Sequence, residues 1–335
     1  MTDYYLDPAA TGAADGTSWA DAFTSLYAAT AAIVAGNTLY CRGEETVNSG
    51  AVLYLSATGN TQQLIRIIGC NASGVVDGTR YKLTFGTATQ AMTIAGGGWG
   101  YYANLEINGN FTSAGISVNT NSRHNVFYNI LIDGPNSTCL SSGDQSRFYY
   151  CICRNGNGNA FQSDYDCVYV GCAAYDCDGG FSASGTTTYI NCIAHNNGIG
   201  VDYNDFGFRL AQDCVMVNCV SDGHYAGINI PSYSNNIIGC RITNNTYGIY
   251  DIAAGDGTHF LNNYFHGNTN DYLALSQANV KMPLIDQSGS EVDSNLSNVD
   301  ADDGYNDRSS DDFNLKSDRT YNGDGSDVWG LGLGS

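Results

Sequence analysis

The sequence predicts an all-β chain: a right-handed parallel β-helix solenoid of about eleven coils, with an N-terminal strand–helix cap and an irregular C-terminal tail. Three observations predict it. The first is a repeat. From residue 144 to 277 the wording returns roughly every 22 residues, and Cys151, Cys172, Cys192, Cys219 and Cys240 fall in one column that Asn129 precedes and Asn263 continues. The second is alternation within each repeat, as in Ile190-Asn191-Cys192-Ile193-Ala194 or Ile238, Cys240 and Ile242, which is the period of a strand with one buried face. The third is turn chemistry: Asn155, Asp176, Asn196 and Asn244 each sit four places after the column, where a stacked Asn or Asp can adopt a left-handed turn and bond its neighbours' backbone.

Taken in order, residues 3–7 read as a first strand, and Asp15-Gly16-Thr17-Ser18-Trp19 turns into a helix expected over 20–35. Phe23, Leu26, Tyr27, Thr30 and Ile33 lie at helical spacing there, and Gly36-Asn37 stops it. Residues 1–37 thus form the cap that an open solenoid end requires. Residues 38–285 form the β-helix, less regular before residue 119, with strands expected at 39–41, 52–55, 64–68, 91–94 and 105–107. Residues 286–335 form an acidic tail that ends in an apolar hook, Val328-Trp329-Gly330-Leu331-Gly332-Leu333.

Charged residues make up 14% of the chain and the formal net charge is -20. Such a surface repels nucleic acid and anionic membranes and suits cations, neutral glycans or a basic protein. The opening MTDYYLDPAATGAADG lacks the basic start, apolar core and cleavage site of a signal peptide, and no apolar run approaches membrane-spanning length. The twelve cysteines are expected as thiols, because five share one inward column of parallel strands. With 24 tyrosines and few lysines, the flanks are suited to self-contact, and a homotrimer is expected.

The cap (a strand, a Gly-Thr-Ser-Trp turn, an amphipathic helix and the "AGNTLY" strand) resembles the opening of many proteins of the pectate-lyase-like right-handed β-helix superfamily. "DDFNLKS" near the end resembles the C-terminal wording of other β-helix proteins, including those carried on phage particles. Asp176-Cys177-Asp178, Asn204-Asp205 and Gly223-His224-Tyr225 follow one another as the Asn-Thr-Asp, Asp-Asp and Gly-His-Gly of polygalacturonase-type glycoside hydrolases do. The resemblance would make Asp178, Asp205 and His224 a hydrolytic site. Asn204 replaces one aspartate, Tyr225 replaces a glycine, and Arg241-Ile242-Thr243 lacks the lysine of the Arg-Ile-Lys segment and lies only one coil on. Asp-Gly and Asn-Gly are also the turns that every coil needs. A lyase would want an Arg or Lys base beside carboxylate-bound calcium, and the basic residues form no such cluster.

Other candidates are contact surfaces. Arg154, Tyr175, His195, Asp222, Thr243 and His266 form a stripe three places after the column, expected to face outward and to meet a glycan or a sister subunit. Trp99, Tyr101 and Tyr102 beside a Gly-rich turn offer rings for the same purpose. For metals, Asp300, Asp302, Asp303 and Asp307 place oxygens at alternate positions as calcium loops do, without the 12-residue loop and its terminal Glu. No cofactor other than calcium is expected, and no His/Cys set has zinc spacing. The degraded motifs and missing export signal point to a virion structural protein, a capsid-decoration or tailspike-like subunit with glycan affinity that contacts other virion proteins. The alternative is an extracellular polysaccharide-active hydrolase or lyase.

Overall fold

The computed structural model describes residues 2–47, 53–55, 63–95, 98–119, 122–134, 137–197, 205–232, 234–251 and 258–274, with the short strands Leu284–Ile285, Glu291–Val292, Tyr305–Asp307 and Asp312–Leu315. It separates into two compact units, Met1–Cys167 and Val168–Ser335. Both are built from parallel strands stacked turn on turn, as the repeat required.

In the N-terminal unit, Asp3–Leu6 pairs with Thr38–Arg42, which pairs with Ile65–Cys70. The helix expected over 20–35 is only Leu26–Ala32, capped by Ser25, whose Oγ accepts the Ala28 N–H at 3.2 Å. The reason lies in Phe23. Its main chain bonds as a strand does, donating to the Tyr5 carbonyl at 2.9 Å and accepting from Asp7 N–H at 2.9 Å, so the chain before Ser25 is committed to the sheet edge. Leu26 and Ala29 bury the helix's inner face. The buried Glu45 carboxylate accepts from Leu26 N–H at 2.9 Å and from the Tyr81 hydroxyl at 2.6 Å, tying the cap to the first coil.

The regular turns number about seven, not eleven. They are the turns from Val126 onward, two in the N-terminal unit and five in the C-terminal one, each broken by corners into short strands. Before them, Tyr81–Ile94 and Gly100–Val118 run unbroken through positions where later turns have corners. Tyr81–Ile94 has no left-handed residue, whereas Gly100–Val118 keeps Asn104 at φ 54° and Gly109 at 146° where the later coils have their corners, and pairs continuously through them.

In the C-terminal unit three sheets stack. Thr187–Ile190, Val215–Val217, Asn236–Ile238 and His259–Leu261 belong to the first. Ala173–Tyr175, Ile193–His195, Val220–Asp222, Arg241–Thr243 and Tyr264–His266 form the second. Gly179–Ala183, Phe206–Arg209, Ala226–Ile230, Tyr247–Asp251 and Asn270–Ala274 form the third. The expected left-handed corners are present: Asp176, Asn196 and Asn244 have φ of 48°, 55° and 57°, and Gly223 and Gly267 take the same place at 80° and 67°. Asn155 does so in the N-terminal unit, at 57°. A second left-handed position, one before the cysteine column, is filled by Gly171, Asn191, Asn218, Gly239 and Asn262. The register Tyr128↔Tyr149 puts Asn129 opposite Tyr150, at that second corner; fully buried Ile130, and not Asn129, stands in the cysteine column.

All twelve cysteines are buried free thiols. Inside the C-terminal unit, Tyr169 stacks on Tyr189 at 5.3 Å and Phe181 on Phe208 at 4.8 Å, and each such pair contributes about 0.5–1.5 kcal/mol beyond the area it buries.

Candidate functional site

The expected hydrolase residues all lie in the C-terminal unit, and the fold divides them. Phe181↔Phe208 register places Asp178 and Asp205 at matching positions three residues earlier on neighbouring turns, just ahead of the third sheet. Asp178 is exposed and Asp205 half-buried. Partial burial, and after it the charge of Asp205, holds the Asp178 carboxyl above its ordinary range. A like charge one turn away disfavours ionising both. Once the insertion in the 27-residue coil is discounted, residues 178 and 205 stand in one column.

His224 does not join them. It occupies a slot in an asparagine ladder inside the coil, five places after the cysteine column. Asn197 accepts the Cys177 N–H at Oδ1 (3.0 Å) and donates from Nδ2 to the Ala174 carbonyl (3.0 Å). Asn245 does the same with His224 N–H (2.9 Å) and Ser221 (3.3 Å), and Asn268 with Asn245 N–H (2.9 Å) and Ile242 (2.8 Å). His224 fills the same slot with a ring: Nδ1 lies 3.1 Å from the Asn197 nitrogen and Nε2 3.1 Å from the Ala194 carbonyl oxygen. The Asn197 carbonyl oxygen also lies 2.6 Å from Nδ1. Burial lowers the ring's pKa, opposed by the two main-chain contacts. His224 therefore builds the coil.

The stripe expected to face a glycan or a sister subunit is largely buried in this unit. Tyr175, His195, Asp222, Thr243 and His266 are register partners along the second sheet, but Asp222 and Thr243 have no exposed surface. Asp222 Oδ2 lies 2.9 Å from His195 Nδ1, while Oδ1 accepts from Thr243 Oγ1 at 2.6 Å and Asn244 Nδ2 at 2.9 Å. A buried carboxylate persists only with such partners. The stripe was expected outward because its neighbours point in; both positions flanking the inward residue are instead covered, with Val220 and Arg241 also buried.

The remaining candidates belong to the N-terminal unit or lie outside the described residues. Arg154 is exposed and pairs with Asp133 at 2.9 Å. Trp99, at φ 66°, gives one ring face to His124, stacked at 4.2 Å, and Tyr101 is half-buried. Burial raises the Asp164 carboxyl, with Asp144 adding to it, but Asp144 is held by Arg123 at 3.2 Å. Of the expected calcium ligands, Asp300, Asp302 and Asp303 lie outside the described residues, and Asp307 is described only as backbone of Tyr305–Asp307.

A feature the sequence reading missed adjoins the carboxylates. Tyr225, Tyr247 and Tyr250 cluster half-buried, with ring centroids 5.3, 6.3 and 5.5 Å apart. The sequence marks Tyr225 only as standing where the hydrolase motif has a glycine.

The sequence profile of a family described as "Periplasmic copper-binding protein (NosD)" matches residues 100–280, more than half of the 335. The chain belongs to the NosD family. Among the described residues no three His, Cys, Asp or Glu side chains gather to hold a metal ion, and the thiols are buried inside the coils. No curated protein sequence matches the chain. Among solved structures, a pectate lyase, Pel9A, aligns at a TM-score of 0.63 and 18% identity, covering 84% of this chain and 79% of its own. A rhamnogalacturonan lyase aligns at 0.55 and 14%, covering 83% and 88%. At such identities the likeness establishes the fold, a pectate-lyase-like parallel β-helix. The structural neighbours are carbohydrate-active β-helix enzymes, and they lend no support to the virion, tailspike or trimer expectations.

Proposed function

We propose that this NosD-family chain acts on polysaccharide and cleaves glycosidic bonds with Asp178 as general acid and Asp205 as its partner carboxylate. The observation that carries the reading is the placement of two aspartates one turn apart on an accessible edge, one of them keeping its proton beyond the usual range. Glycoside hydrolysis needs such a split: one carboxyl protonated to assist the leaving oxygen, one ionised to stabilise or attack the sugar or to activate water. Adjacent turns are about 4.8 Å apart at the backbone, nearer the spacing of retaining enzymes than the wider one that seats a water between the groups. Among the described residues no three carboxylates gather to hold a calcium ion beside the pair, which favours hydrolysis over elimination. The polysaccharide specificity of the neighbouring structures is consistent with the substrate class.

The test is release of new reducing ends from a panel of neutral and uronate polysaccharides. The wild-type chain should release them from at least one, and Asp178→Asn should lose at least about a hundredfold of that rate, the lower range of general acid–base assistance. No release from any polymer would refute the hydrolase reading. Binding without release would favour the virion reading instead, in which the same edge holds a surface glycan as a receptor.

A further inference from the structure

We propose that Tyr225, Tyr247 and Tyr250 form a sugar-stacking subsite that holds a neutral glycan chain running along the stack of turns, beside the Asp178–Asp205 pair. The proposal rests on the hydrolase reading for the role of that pair, and adds the substrate class and the means of holding it.

The placement comes from the backbone. Asp178 and Asp205 occupy one column, and Tyr225 continues it: the Ala226 N–H donates to the Asp205 carbonyl at 3.0 Å, and the Tyr247 N–H to the Tyr225 carbonyl at 2.8 Å. Each step along this column is one turn, about 4.8 Å, which is close to the length of one sugar unit in a polysaccharide. A glycan laid along the axis would therefore present successive rings to successive turns. With one bond seated at the aspartates, the next units meet the tyrosines.

The tyrosines are suited to that contact. Their rings meet at steep or tilted angles of 75°, 48° and 66°, so they do not bury their faces against one another in parallel stacks. All three are half-buried, with part of each side chain open to solvent. The core aromatics of the same unit behave otherwise: Phe181 and Phe208 lie 5° from parallel and are almost wholly buried. A half-buried aromatic with a phenol tip offers an apolar face to sugar C–H groups and a hydroxyl to sugar oxygens.

Charge selects the neutral class. The chain carries a formal net charge of -20, and two aspartates stand at the proposed cleavage point. Among the five strands of the third sheet Arg209 is the one basic residue; it is exposed, and in register with Asn229, which is in register with Tyr250. A uronate chain would bring a carboxylate with each unit onto this acidic edge against one guanidinium, whereas a neutral chain carries no such cost.

The experiment uses the full chain with Asp178→Asn, so that ligand is not consumed. Calorimetric titration is run with neutral hexasaccharides of glucose, galactose and mannose, and with hexagalacturonate. One neutral hexasaccharide should bind, and Tyr247→Ala or Tyr250→Ala should each weaken it about tenfold, the scale of one aromatic contact. Tyr247→Phe should keep most of the affinity, and Tyr250→Leu, which keeps the bulk without a ring, should lose as much as Ala. Absence of binding by every neutral hexasaccharide, tighter binding of hexagalacturonate, or unchanged affinity in the Ala and Leu variants would overturn the subsite. Tyrosine-dependent binding with no reducing-end release by the wild type would remove the hydrolase reading and leave the subsite; release that does not depend on the tyrosines would do the reverse.

Discussion

Asp222 and Asp178 sit two turns apart in the same unit, and the fold treats them in opposite ways. Asp222, on the second sheet, is fully buried and satisfied by His195, Thr243 and Asn244. Asp178, beyond the corner at Asp176, is exposed and faces Asp205, whose charge works against its ionisation. Three residues separate the two positions in the coil pattern. The difference shows that the left-handed corner, and not the residue type, decides whether an aspartate here is structural or available for chemistry. Before the corner it is locked into a ladder of partners; after it, it stands on an edge with a like charge for neighbour.

The largest expected effect breaks the buried side of this comparison. Asp222→Ala leaves Thr243, Asn244 and His195 without their shared acceptor, and removal of one partner from a buried charged network costs about 3–5 kcal/mol. Urea denaturation should show it; a loss below about 1 kcal/mol would mean that the network contributes little.

His224 sharpens the same side. His224→Leu strands the Asn197 N–H and the Ala194 carbonyl, at about 1–3 kcal/mol for each buried group. His224→Asn restores both ladder bonds with the residue the ladder otherwise uses and should stay within about 1 kcal/mol of wild type. The pH dependence follows from the lowered folded-state pKa. The unfolded chain takes up a proton near its ordinary value of about 6.5 while the buried ring resists it, so this contribution is full above that pH and is lost as pH falls below it. Denaturation between pH 7 and pH 5 should show a decline that is smaller in His224→Asn. An identical decline in both would contradict the neutral ring.

The smallest effect belongs to the open side. The folded state binds the Asp178 proton more tightly than the unfolded chain does, so its ionisation subtracts stability as pH rises through the carboxylate range. Asp178→Asn should therefore stabilise the protein at neutral pH, by only a few tenths of a kcal/mol because solvent screens an exposed group. Destabilisation would place Asp178 among the structural aspartates. Together with its loss of activity, a stabilised variant is the signature of a residue kept for function at a cost.

Much of the fold was legible because a solenoid writes itself repeatedly. Asp176, Asn196 and Asn244 announced their left-handed corners, and the cysteine column announced the inward face. The number of turns was not legible: Tyr81–Ile94 has no left-handed residue to mark a corner, and Gly100–Val118 passes through three sheets with Asn104 and Gly109 at its corners but no repeated wording around them. The helix was overcalled because alanines favour it, whereas Phe23 is claimed by a pairing with Tyr5 that local sequence cannot show. At the site, the column of Asp178 and Asp205 could be counted out, since register follows the period. His224 misled because its likeness to an asparagine lies in the geometry of two ring nitrogens. Tyr225, Tyr247 and Tyr250 were invisible as a group: they fall at corners and strand ends, where the repeat varies most and single tyrosines read as filler.

The proposed chemistry requires Asp178 and Asp205 to act on each other, and carboxyl-carbon NMR titration of Asp178 measures that directly. Asp178 should titrate above the ordinary aspartate value of about 3.9 in the wild-type chain and fall part of the way back in Asp205→Asn, the remainder being its burial. An Asp178 that titrates at the ordinary value, or one whose titration is the same with and without the Asp205 charge, would contradict the pairing and with it the proposed chemistry.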